Sequence, residues 1–207
     1  MHKNITTFLS KEIFAYNASG QPRKILKNYA DDIRQGAKRI IMIAQKEQKN
    51  DAFVLLQEVQ KSIKEAEKIV RLKNLFDYGP YKAALEEYLE AWLTYQFLFP
   101  AKKFPPIPTF TSVDREMYFG AISDFTGELV RIAILDATQG KTTRLLGMKQ
   151  LVEDLIIACT QLEVVSGGYL RQKVEQLDKN LRKIEDIAYT VKVMRGKTSA
   201  SEGQDEE

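Results

Sequence analysis

The sequence predicts an all-α protein, a bundle of about six to seven long antiparallel helices. Apolar residues recur at alternating spacings of three and four along six separate segments. No stretch alternates apolar and polar residues as a half-buried strand would. Turn-forming residues stand between the segments. With 44% hydrophobic and 29% charged residues over 207 positions, a folded core is expected along most of the chain and whole-chain disorder is excluded.

The first stripe is Leu26, Tyr29, Ile33, Ala37, Ile40 and Ala44, opened by Gly20-Gln21-Pro22, where Pro22 suits a first helical turn. Lys49-Asn50-Asp51 separates it from the second, Ala52, Leu56, Val59, Ile63, Ala66 and Val70. Asp77-Tyr78-Gly79-Pro80 ends that helix and opens the third, which is aromatic: Tyr81, Leu85, Tyr88, Trp92, Tyr95 and Phe99. Pro100 to Thr111 carries four prolines and reads as a stiff loop. Ser112 is the candidate N-cap of a fourth helix with Tyr118, Ile122, Phe125, Leu129 and Ile132. The fifth carries Leu145, Met148, Val152, Leu155, Cys159 and Leu162, and the sixth Leu170, Val174, Leu177, Leu181, Ile184, Ala188 and Val191. Thr138 to Lys141 and Ser166-Gly167-Gly168 divide these last three. An extra helical turn is expected near Lys11 to Ala15.

The domain reading is an N-terminal extension over 1–20, frayed and polar, one all-α domain over 21–196, and a disordered acidic tail over 197–207. That tail masks the charge of the body: residues 1–201 hold 31 basic residues against 24 acids, a net +7. A moderately basic body is compatible with a polyanion partner. No apolar run approaches the roughly 20 residues of a membrane span and no secretory leader is visible, so a soluble cytoplasmic protein is expected.

Single residues narrow the chemistry. One cysteine, Cys159, excludes an intrachain disulfide, and its place in a stripe reads as an inert buried thiol. One histidine, His2, argues against Ser-His-Asp or Cys-His catalysis, common zinc sites and the Glu-x-x-His pattern of di-iron bundles. Chemistry would run on carboxylates, Lys, Tyr or a metal held by oxygen.

Two acidic groupings stand out. Glu87 and Glu90 lie three apart on the aromatic third helix, flanking Tyr88. Asp124 and Glu128 lie four apart on the fourth, in line with apolar Met117, Ala121 and Leu135. Paired acids cost a helix a few tenths of a kcal/mol, and Gly127 about 1 kcal/mol more relative to Ala. Close approach of another helix at Gly127, with a cation between the acids, would account for both. Four carboxylates that converged would suit Mg²⁺ or Mn²⁺. Spacing alone favours a solvated surface and leaves the metal site as the sharper alternative.

At these same residues the sequence resembles the translin superfamily, and within it the branch of translin-associated factor X (Trax). The resemblance runs from about Lys24 to Gly196. It rests on Leu85-Glu86-Glu87-Tyr88-Leu89-Glu90-Ala91 with Tyr95-Gln96-Phe97, on Asp124-Phe125-Thr126-Gly127-Glu128-Leu129-Val130-Arg131, and on the closing helix from Leu181 to Arg195-Gly196. The resemblance implies a translin-like helical bundle in a closed, hollow octamer. It also implies a Mg²⁺-dependent endoribonuclease with Glu87, Glu90, Asp124 and Glu128 as catalytic, metal-holding carboxylates. Translin itself carries basic and histidine residues in the third helix, whereas Tyr81 to Ala91 holds only Lys82 here, which favours the Trax side. Arg131, one turn beyond Glu128, is expected to hold a carboxylate or else to meet phosphate. Expected partners are RNA, with single-stranded DNA as a further candidate, and copies of the same chain, with a translin-like subunit as the hetero-oligomeric alternative. The rival reading is a non-catalytic RNA- or single-stranded-DNA-binding oligomer. The nucleic-acid-contacting residues are not assigned by the sequence.

Overall fold

The computed structural model describes residues 2–18, 20–111, 115–163 and 168–202. They form seven helices and, among the described residues, no strand: α1 (His2–Ala18), α2 (Gly20–Gln45), α3 (Lys49–Lys73), α4 (Gly79–Leu98), α5 (Arg115–Thr138), α6 (Leu145–Cys159) and α7 (Tyr169–Glu202). No helix is long and apolar enough to cross a membrane among the described residues. The chain divides into two compact units, Met1–Tyr118 and Phe119–Glu207.

In the first unit, α2 packs on both α3 and α4. The turn between α2 and α3 falls at Lys46–Gln48, slightly ahead of the expected break, because Glu47 takes the left-handed conformation (φ 62°) that reverses the chain. So short a connection makes the two helices antiparallel neighbours. Every apolar residue expected on the α3 stripe is buried. On α2, Gly36 faces Val59: a Cβ there would stand 2.4 Å from Val59 Cγ2, so the glycine sets how closely the helices approach. Helix α3 ends at Asn74, earlier than the Asp77–Pro80 punctuation suggests. Asn74 adopts the left-handed cap (φ 52°) and its N–H donates to the Val70 carbonyl. Helix α4 then starts with proline in its first turn, as expected. It is buried around much of its circumference, through Tyr81, Ala84, Leu85, Tyr88, Leu89, Ala91, Trp92 and Tyr95.

The proline-rich segment is a loop without helix or strand up to Pro108, laid over aromatic residues of α4. Phe104 meets Trp92 edge-on at 5.6 Å and Phe110 meets Tyr88 at 6.1 Å. Arg71 donates to Thr111 Oγ1, and the Thr111 N–H donates to Glu67. Proline suits this position because it brings no N–H donor to an apolar surface. The expected cap Ser112 lies outside the described residues, as do residues 164–167 of the break before α7.

The first twenty residues hold more helix than the single turn expected near Lys11. Helix α1 runs for 17 residues and leaves Ile5, Phe8, Leu9, Ile13 and Phe14 exposed.

In the second unit α6 packs along α7. The stripes are only partly covered: Leu145, Met148, Val152, Leu177 and Ile184 are buried, while Leu155, Val174 and Leu181 are half-buried. Polar bonds supplement the apolar contact. Ser123 Oγ donates to the Lys173 carbonyl at 2.7 Å, and Asn180 Nδ2 donates to Thr126 Oγ1 at 2.9 Å. Arg144 clamps the buried Asp136 with Nε and Nη2 at 2.9 and 2.6 Å, closing the turn between α5 and α6. The last helix continues past Gly196 to Glu202.

Candidate catalytic carboxylates

Helix periodicity places Glu87 and Glu90 on α4 beside the buried face, and both are half-buried. Glu87 receives two cations from α2. Arg34 Nη2 and Nε stand 3.3 and 3.4 Å from Oε1, and Lys38 Nζ stands 3.7 Å from Oε2. Between the two acids Tyr88 is fully buried, with no hydrogen-bond partner for its hydroxyl among the described residues. That burial pushes the phenol well above the ordinary tyrosine range. Tyr88 therefore works as an apolar wedge that fixes the helix carrying the acids.

On α5, Asp124 is half-buried and Glu128 only 8% exposed. Lys173 Nζ lies 2.6 Å from Asp124 Oδ2 and Gln176 Nε2 3.3 Å from Oδ1, both from α7. Lys173 is itself half-buried and lies 5.3 Å from the Tyr169 ring centre. Glu128 accepts from Arg131 Nη1 at 2.9 Å, so Arg131 holds a carboxylate, the role its one-turn spacing suggests. Of the apolar line expected beside these acids, Met117 and Ala121 are buried but Leu135 is exposed, so the packed part of that line ends near Glu128.

The expectation for Gly127 is met in part. Helix α7 does approach it, through Asn180, yet a Cβ would stand 3.7 Å from Asn180 Nδ2, an ordinary contact. Neighbouring Thr126 is fully buried and donates to the Ser123 carbonyl at 2.7 Å while accepting from Asn180.

The residues that sequence reasoning passed over are Arg34, Lys38, Lys173, Gln176 and Asn180. Two left a faint signal: Arg34 and Lys38 are like charges one turn apart, an arrangement that repels unless something acidic faces it. Asn180 left none, since one polar residue among many on a long helix carries no mark of burial.

The arrangement offers carboxylates with cations on their oxygens, the combination that can hold a phosphate group next to an acid or base. Among the described residues of either unit, no group of three or more His, Cys, Asp or Glu side chains stands together as a metal cage. Cys159, half-buried rather than enclosed, has its thiol pushed up by burial and fits the inert reading.

Comparison with known structures shows what the chain is similar to. The crystal structure of apo-NeC3PO matches with a TM-score of 0.75 and 19% identity, covering 88% of this chain and 96% of that one. The crystal structure of AfC3PO matches with a TM-score of 0.70 and 18% identity over 94% of this chain and 99% of that one. The AfC3PO–duplex RNA complex matches at 0.69 and 17% identity, covering 94% and 98%. No curated protein sequence matches. At such identities these likenesses establish the helical fold. The sequence profile of the Translin family matches residues 21–195, a span that contains all four carboxylates, and the chain therefore belongs to the Translin family.

Proposed function

We propose that this chain is a Trax-like endoribonuclease, cleaving RNA phosphodiester bonds with Mg²⁺ inside a hollow oligomer. The observation that carries the reading is the pairing of acid with cation from a neighbouring helix: Arg34 and Lys38 at Glu87, and Lys173 at Asp124. A purely solvated acidic face does not call for a half-buried lysine on one of its oxygens. That one structural neighbour was solved with duplex RNA supports RNA as the class of substrate.

Glu87, Glu90, Asp124 and Glu128 are the proposed metal-holding and catalytic residues. Mg²⁺, with Mn²⁺ as the alternative, is the proposed ion because both prefer oxygen ligands, the donor type these side chains would supply. An ion held by these residues would supply Lewis acidity toward a phosphodiester and activate a water. The remaining work falls to the chain's own side chains. Arg131 holds Glu128 in place, and burial keeps most of the Glu128 side chain from water. Arg34, Lys38 and Lys173 keep positive charge beside Glu87 and Asp124, where the anionic backbone would approach.

Assembly is part of the proposal: a homo-oligomer, octameric by family likeness, or a mixed assembly with a translin-like subunit. The exposed apolar residues of α1 are consistent with a surface that another chain covers.

The test mixes purified protein with end-labelled single-stranded RNA in Mg²⁺, beside EDTA, Glu128→Ala and Glu128→Gln, with the assembly mass measured in parallel. Internal cleavage should stop in EDTA and fall about a hundred-fold or more in both variants. The Gln variant keeps the shape of the buried site and guards against a folding failure. Cleavage that survives both substitutions assigns the activity to a contaminant and removes Glu128 from the site. Binding without any cleavage favours the non-catalytic RNA- or single-stranded-DNA-binding oligomer.

A further inference from the structure

We infer that one face of α2 is the track on which the phosphates of an RNA strand run toward Glu87. The inference rests on the RNA reading above and names the contact residues. Arg23, Lys27, Arg34 and Lys38 are spaced four, seven and four apart. At 3.6 residues per turn they fall within about 60° of one another around the helix axis, in a row about 22 Å long. The row flanks the buried face of Leu26, Ala30, Ile33 and Ala37 without joining it. Lys27, Arg34 and Lys38 all keep substantial side-chain exposure, at 59%, 43% and 63%.

Each member of the row is held in place by a partner that a phosphate can displace. Asp31, the one acid on this face, accepts from Lys27 at 2.7 Å. The Arg23 guanidinium lies 4.6 Å from the ring centre of Tyr16. Arg34 and Lys38 share Glu87. The exposed Lys27–Asp31 pair contributes little to stability, and a phosphate offers Arg34 a charge-assisted, bidentate acceptor in place of the half-buried Glu87. The row ends on a proposed catalytic carboxylate, so a strand lying along it delivers a phosphodiester to that acid. Exposed α3 lacks this character, because Glu58 and Glu65 interleave with Lys61 and Lys68.

The test measures binding of an end-labelled oligouridylate in EDTA, so that no cleavage intervenes, over a series of salt concentrations. Wild type is compared with Lys27→Gln/Lys38→Gln and with Lys61→Gln/Lys68→Gln, which removes the same charge from α3. Helicity and assembly mass are matched first. The α2 variant should bind several-fold more weakly. Its slope of log affinity against log salt should fall by about 1.4, two contacts at about 0.7 each for a single strand. The α3 variant should track wild type. Equal weakening in both variants would show that only net charge matters and would overturn the track, as would no weakening in the α2 variant. Absence of RNA binding by wild type at low salt would overturn the RNA reading and the track together.

Discussion

The two units hold their acidic pairs by different physics. In the first, α4 is locked by burial: Tyr81 and Tyr88 are fully enclosed, Gly36 lets α2 close against α3, and the cations reach Glu87 from outside the core. In the second, coverage is thinner and polar bonds do more. Ser123, Thr126 and Asn180 link α5 to α7, Arg144 grips Asp136, and Arg131 grips Glu128 from the same helix. A carboxylate at the edge of a packed helix can be steered by a separate, exposed cation. One that is nearly buried needs its partner built in, since an uncompensated charge there is costly.

The sharpest way to break this contrast is Asp136→Ala. It removes the buried acid and leaves Arg144 without that partner. Because Arg144 keeps about a third of its side-chain exposure, the expected loss is about 2–3 kcal/mol rather than the full cost of an enclosed charge. Urea unfolding should show it, with amide exchange rising in α5 and α6 and not in α4.

Alkaline pH should strike the other unit. Burial raises the phenols of Tyr81 and Tyr88 above their ordinary value of 10.0. Folded protein therefore keeps protons that the unfolded chain releases. Their contribution is intact below pH 10 and falls by about 1.4 kcal/mol per tyrosine for each pH unit above it. Tyrosinate absorbance should rise in two steps, with Tyr81 and Tyr88 contributing only to the second, together with loss of helicity. Ionisation of every tyrosine without unfolding would contradict the packing described for α4.

Gly36→Ala is the next smaller perturbation. Overpacking against Val59 should cost about 1–3 kcal/mol, less the gain of about 1 kcal/mol that alanine brings to a helix. Thermal unfolding of this variant beside Gly36→Ala/Val59→Ala checks the cause, since trimming Val59 should recover part of the packing strain.

Gly127→Ala should have the smallest effect and the opposite sign. The Cβ meets Asn180 at an ordinary distance, so the variant should be more stable by a few tenths up to about 1 kcal/mol. A clear destabilisation would mean that something else occupies the space beside Gly127.

Much of the fold was legible in the sequence because helices with one buried face advertise it. The α3 stripe is legible residue for residue. Boundaries were less legible. Glu47 and Asn74 end their segments through left-handed backbone, which neither residue announces as glycine would. Helix α1 is less legible because its apolar residues stay exposed, so no buried face of the chain accounts for them. For the acids, spacing showed which share a helix face. It could not show Arg34, Lys38 or Lys173, since contacts between residues some fifty positions apart leave no mark in local periodicity.

The edge-on meeting of Trp92 with Phe104 has a practical side. Trp92 is the only tryptophan in the sequence, 5% exposed, and its neighbour belongs to the proline-rich loop. Tryptophan emission, excited at a wavelength that tyrosine does not absorb, is thus a built-in optical gauge of one joint. A red-shifted, quencher-accessible emission reports that loop lifting from α4 while every other helix stays dark, so a ligand that displaces it can be followed without attaching a dye.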